Sequence, residues 1–245
     1  MIARGRVLPV ALLITVPAYL LVVLTRILAA RQIGDAPEGG AHSPLPGFAT
    51  YTALFAVSLL LMAFVDRRPW KELGLRKAEG RWLKFPLWAL LVGAITTFTL
   101  KFTPGKGMAD ALRLTMPILI VPMLLYGSTA EEFFTRGWFQ SFLDPLRDRT
   151  IRVGGFAPSL PVVASGLGFG AMHLTLLGKG VDGWTIGFVL VFTTTVGLLA
   201  ATVRERTGSL WPAVVTHLAG NAGGFVGGIL WVVQYAIRFG KPPAM

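Results

Sequence analysis

Residues 115–140 read TMPILIVPMLLYGSTAEEFFTRGWFQ. Sixteen residues with no charge run directly into Glu131, Glu132 and Arg136, and the segment then becomes aromatic. In a soluble protein such a stretch would be a buried core helix. In a bilayer it is a spanning helix whose charges are costly and therefore mark a functional place. Which of the two applies is decided by the rest of the chain.

The 245 residues are 53% apolar and 14% charged, against roughly a quarter charged in ordinary soluble domains. The apolar residues come as long runs, at 7–25, 48–65, 82–100, 115–130, 157–177, 184–203 and 210–237. About 18 such residues cross ~30 Å of hydrocarbon. The last run is too long for one untilted span and carries Gly220, Gly223 and Gly224 near its middle. It is expected to form two short helices, giving an all-α polytopic membrane protein of about eight spans. The N-terminal apolar run is longer than the ~7–15 residues of a signal-peptide core and is expected to stay as the first span.

The sequence contains no cysteine, which removes disulfides, thiolate metal ligands and a cysteine nucleophile. The net charge of +11 has a topological reading that makes a nucleic-acid partner unnecessary. Assigning loops alternately from a cytoplasmic N-terminus puts sixteen lysines and arginines inside and six outside. That is the bias expected of a multi-pass protein, here of the cell (inner) membrane. Residues 31–47 are then an outer loop. Residues 66–84 are a basic inner loop in which Trp70, Leu73 and Leu75 mark a short interfacial helix, and a fourth helix is expected to begin near 108–113. The glycines at 220, 223, 224, 227 and 228 are spaced for close helix packing. One domain, 1–245, is expected, with its motif-bearing core at about 114–239.

Within the spans the strongly polar residues are Glu131, Glu132, Arg136, His173, His217 and Asn221. Each alone reads as interhelical glue or as a structural ion pair; their arrangement says more. Glu132 and Arg136 are four apart and share a helix face, as do His217 and Asn221. Glu131 is turned about 100° from Glu132 and escapes that pairing. Glu131 and His173 are equidistant from residue 152, so an antiparallel hairpin brings them to one depth. A carboxylate, two imidazoles and an amide in a water-poor pocket suit amide hydrolysis: a base for water, and donors for the oxyanion. The same set can hold a divalent ion such as zinc, and the residues leave that alternative open. A proton-coupled transporter or a scaffold is the competing class. Ser165 in VASGLG lacks the flanking glycine of a rhomboid-type serine site and reads as a packing residue.

Three motifs stand in order: EEFFTR at 131–136, FGAMH at 169–173 and HLAGN at 217–221. They match Glu-Glu-x-x-x-Arg, Phe-x-x-x-His and His-x-x-x-Asn, and so resemble the CPBP (CAAX protease and bacteriocin-processing, or Abi) family of intramembrane proteases, which includes the type II CAAX prenyl endopeptidases. LGLR at 73–76 is a weaker similarity. The resemblance implies eight helices around a cavity open to the cytoplasm, and a peptide or lipidated-peptide substrate. It implies Glu131 and His173 activating water, His217 and Asn221 stabilising the oxyanion, and Glu132 and Arg136 in support. Both a metal-free glutamate mechanism and a metalloprotease one are compatible with it.

Overall fold

The computed structural model describes residues 4–33, 45–102, 120–152, 154–178 and 181–240. The regular elements among these residues are helices, in the order α1 (Val7–Ile33), α2 (Leu45–Leu60), α3 (Lys84–Leu100), α4 (Ile120–Glu132), α5 (Leu160–Met172), α6 (Gly183–Thr207) and α7 (Trp211–Phe239). Two helices continue in wider π turns, α2 over Leu61–Asp66 and α4 over Phe133–Gln140, and α5 ends in a 3₁₀ turn at His173–Gly178. Most of the loop expected at 31–47, and the start of the fourth helix expected at 108–113, lie outside the described residues.

Five helical stretches among the described residues are long and apolar enough to cross a membrane: Arg4–Gln32, Leu45–Asp66, Leu160–Leu177, Gly183–Thr207 and Trp211–Phe239. Lys84–Leu100 is a shorter apolar helix. In lipid every backbone polar group must be satisfied internally, which is what an apolar helix does. Side chains such as Leu13, Leu87 and Ile237 point outward, where a bilayer is their solvent. Helix starts are set locally: Ser159 Oγ accepts from Val162 N–H ahead of α5, and Asp182 accepts from Thr185 N–H at 3.0 Å ahead of α6. Gly208, at φ +64°, closes α6, a left-handed backbone that favours glycine.

The segments before α7 that were expected on the inner face gather at one end of the bundle. Arg4 pairs with Asp148 at 2.8 Å, and Arg68 with Asp144 at 3.1 Å. Arg147 donates to Glu205 O and Arg76 to Gly208 O, while Leu210 N–H donates to Gly74 O. The interfacial helix expected around Trp70 is a single turn between Pro69 and Leu75. Leu73 in that turn is fully buried and Trp70 is exposed.

The final apolar run corrects the expectation. It forms one continuous helix, Trp211–Phe239, with no break at its glycines. Those glycines serve contact with α3 instead. A Cβ on Gly93 would lie 2.1 Å from Gly220 O, one on Gly223 2.1 Å from Leu90 O, and one on Gly227 2.2 Å from Ala94 O. Leu90 faces Gly223 and Ala94 faces Gly227, so α3 and α7 run parallel. The two-helix reading behind the eight-span count is therefore replaced by a single long helix. It places Arg238 at the end opposite to Arg204, where the sequence expectation had both inside.

Candidate active site

The π segment Phe133–Gln140 is buried along its whole length. Phe133, Phe134 and Trp138 pack into the core with Val22, Leu54 and Met62, and Trp138 Nε1 donates to Thr15 Oγ1 at 3.1 Å. The apolar side of the segment therefore holds α1 and α2. Its polar side holds α6: Arg136 Nη2 donates to Gly197 O at 2.7 Å, and Gln140 Nε2 to Ala201 O at 3.0 Å. Isolated π turns recur at functional sites, and this one immediately follows the two glutamates.

Glu132 and Arg136, both wholly buried, pair at 3.0 Å as their spacing predicts. The guanidinium also lies 4.7 Å over the Phe169 ring. The same Glu132 oxygen, Oε1, meets His217 Nδ1 at 3.0 Å. On the other side of that imidazole, Nε2 stands 3.6 Å from Glu131 Oε2. His217 on α7 is thus held between the two glutamates of α4. Glu132 is sealed in the core, whereas the Glu131 side chain keeps 16% exposure, the geometric result of their ~100° offset.

That exposure opens onto a cavity of ≈130 Å³ lined by Tyr51, Leu124, Ser128, Glu131, His173, His217 and Asn221. All four residues expected to act therefore share one cavity. That Glu131 and His173 line one cavity agrees with their equal distance from the turn. His173 Nδ1 faces Phe169 O at 3.0 Å, which fixes the proton on Nδ1 and leaves Nε2 as the acceptor. The Phe169 ring stands edge-on between the two imidazoles, 5.2 Å from His173 and 5.0 Å from His217. The phenylalanine of FGAMH thereby sets both. Tyr19 OH, from α1, donates to Met172 O at 2.8 Å and fixes the chain just before His173. Asn221 Nδ2 donates to Ser128 Oγ at 2.9 Å.

Tyr51 and Ser128 were not singled out by the sequence. Ser128 lies three residues before Glu131, hence on its face of α4. The signal for Tyr51 was only a phenol in a helix whose other polar groups are the hydroxyls of Thr50, Thr52 and Ser58. Its ring lies flat on α4 because Gly127 has no side chain; a Cβ there would be 2.6 Å from the ring. Ser165 is buried and its Oγ donates to Thr135 O, as befits a packing residue.

Among the described residues no three His, Asp or Glu side chains are arranged to hold a metal ion. The Nδ1 atoms of His217 and His173 are held by Glu132 and by the Phe169 carbonyl, the outer bonds that would orient each Nε2 if a metal were bound there.

A second, larger cavity of ≈410 Å³ lies at the charged end, between the 68–79 turn, the end of the π segment and the end of α6. There burial raises the Asp144 carboxyl above its ordinary value against the opposing pull of Arg68. Hydrogen bonds to Asp66 hold the Arg68 guanidinium more firmly charged than usual.

Residues 113–223 match the family model described as type II CAAX prenyl endopeptidase Rce1-like. The matched segment contains all three motifs, and the family is the one they resemble. No curated protein and no solved structure matches the chain.

Proposed function

We propose that the chain is an intramembrane endopeptidase that uses a glutamate-activated water to cut a membrane-tethered peptide near the cytoplasmic boundary of the bilayer. The observation that supports this reading is His217 held between a sealed glutamate and an accessible one, in a cavity shared with His173 and Asn221. A purely structural ion pair has no use for the second, accessible carboxylate.

Glu131 takes a proton from water while His173 Nε2 accepts the water's other hydrogen and orients it. The oxygen attacks the scissile carbonyl. With both nitrogens of His217 donating, the set Glu131, Glu132, Arg136 and His217 is electrically neutral. Once Glu131 is protonated, His217 Nε2–H loses its anionic neighbour and turns to the new oxyanion. Asn221 has two amide hydrogens; Ser128 takes one and the other serves the same oxyanion. Glu131 then passes its proton to the amide nitrogen, the C–N bond breaks, and a carboxylic acid and an amine leave, the acid giving its proton to the amine or to solvent. Glu132 and Arg136 position His217 without touching substrate. The substrates that fit are prenylated CAAX-type C-termini or leader peptides, presented to a protein whose N-terminus is cytoplasmic.

The test is cleavage of a farnesylated CAAX-type peptide and of an unmodified leader-type peptide by purified protein. Glu131→Gln should abolish cleavage while keeping the melting temperature and peptide binding. A fully active variant removes Glu131 as base. Activity lost to a chelator and restored by zinc would replace this mechanism by a metal-dependent one. Proton-coupled flux in proteoliposomes without cleavage would establish the transporter reading.

A further inference from the structure

The larger cavity contains a cation that has no carboxylate within ion-pair distance among the described residues. Arg204, near the end of α6, is 7% exposed. Its Nη2 donates to Glu72 O and to Ser141 Oγ, both at 3.2 Å and both uncharged, and its Nε has no partner. No carboxylate pairs with it among the described residues, and its Nη1 has no protein acceptor. A buried guanidinium is ordinarily paired, so this one stands out against Arg136, which has Glu132.

The carboxylates around the cavity are largely committed elsewhere. Asp144 and Asp66 both hold Arg68. Glu205 accepts from Ser159 Oγ and stands 3.7 Å from Arg147. Glu72 and Glu79 are exposed side chains. Among the described residues that leaves Arg204, Arg76 and Arg206 as lining cations without a carboxylate in ion-pair contact. Arg76 spends Nε on Gly208 O, and Arg206 lies 5.5 Å from the Phe85 ring. At ≈410 Å³ the space exceeds what a single small ion needs. A guanidinium fork matches a phosphate group, two parallel N–H donors to two oxygens. The cavity also lies at the charged end of the helices, and the exposed apolar side chains Phe64, Trp70 and Leu83 are within four residues in sequence of residues that line it. Lipid phosphates occupy that level in a bilayer.

We infer that the cavity floored by Arg204 and walled by Arg76 and Arg206 is a binding site for a phosphate group, independent of the catalytic cavity. The buried π segment Phe133–Gln140 separates the two, with Gln140 lining the one and Glu131, just ahead of the segment, lining the other. The phosphate has two possible sources, a phospholipid headgroup or a free phosphate-bearing solute.

Thermal unfolding of the full chain in detergent distinguishes them. One arm adds dihexanoyl phosphatidic acid against the same diacylglycerol without phosphate; the other adds inorganic phosphate against chloride at equal ionic strength. A saturable rise in melting temperature with phosphatidic acid alone identifies a headgroup site. A rise with inorganic phosphate as well identifies a site for free phosphate. Arg204→Gln should shift the midpoint of that rise to roughly 10- to 100-fold higher concentration, the usual loss for one hydrogen bond to a charged group. Arg76→Gln, at an exposed position, should shift it in the same direction and decides the matter if Arg204→Gln does not fold. No saturable rise with either probe, or equal responses from wild type and both variants, overturns the site.

Discussion

Replacing Arg136 with methionine, which keeps most of its length, separates three contributions of very different size. The side chain has no exposure and makes an ion pair with Glu132, a hydrogen bond to Gly197 O and a ring contact with Phe169. Hydrogen bonds between membrane helices average about 0.6 kcal/mol, and a desolvated cation–π contact is worth about 2 kcal/mol. Removing one partner of a buried ion pair costs about 3–5 kcal/mol, so the charge dominates. His217 Nδ1 remains on Glu132 and relieves part of that cost, which favours the lower end, about 3 kcal/mol. For a chain of this size about 1 kcal/mol moves the melting temperature by ~2–4 °C, so a fall of ~6–12 °C is expected in detergent. The double variant Arg136→Met/Glu132→Gln removes both charges and should recover most of the loss, because a buried pair as a whole contributes little net stability. It should not recover activity, since His217 then lacks its carboxylate. A single variant within ~2 °C of wild type, or a double variant less stable than the single, would refute this account.

Three further outcomes are expected. Asn221→Ala should lower the cleavage rate by ~10²–10³, typical of losing an oxyanion donor, with Ser128→Ala showing a smaller loss, both read with a fluorogenic peptide at unchanged melting temperature. Gly227→Ala should lower stability by about 1–3 kcal/mol, as overpacking does, because its Cβ meets the Ala94 carbonyl; Gly228→Ala, with nothing within 4 Å, should be neutral in the same melting assay. A tag after residue 245 should be labelled from the side of the membrane opposite to one in the 66–84 loop, because α7 is a single helix; labelling from the same side would restore the extra span.

What the sequence made legible was local geometry. The Glu132–Arg136 pair follows from helix spacing alone, and the shared cavity of Glu131 and His173 from the symmetry of a hairpin. The bond from Glu132 to His217 was hidden because it joins residues 85 apart, and no period along one helix contains it. Tyr51 was hidden for a related reason: a phenol between Thr50 and Thr52 in an uncharged span carries no spacing signal. The last helix was misread through its length, since 28 residues without a charge exceed a bilayer and glycines at the midpoint look like a hinge. They are instead where the α3 backbone comes within contact of α7, and α7 simply extends beyond one hydrocarbon thickness.

The polar side of α4 bears on how the chain is assembled. Glu131, Glu132 and Arg136 make a lone helix expensive in lipid, each at about 2.5–3.5 kcal/mol near the bilayer centre on insertion scales. Their partners are synthesised later: Gly197 O lies 61 residues after Arg136, and His217 85 after Glu132. The contacts available when α4 leaves the ribosome are apolar or nearly so, to Thr15 on α1 and Phe55 on α2. During synthesis α4 therefore depends on α1 and α2 for shelter and enters its final position only as α6 and α7 arrive. A nascent chain arrested before residue 217 would keep the Glu132–Arg136 pair but leave both glutamates without His217, and so be a ready substrate for membrane quality control.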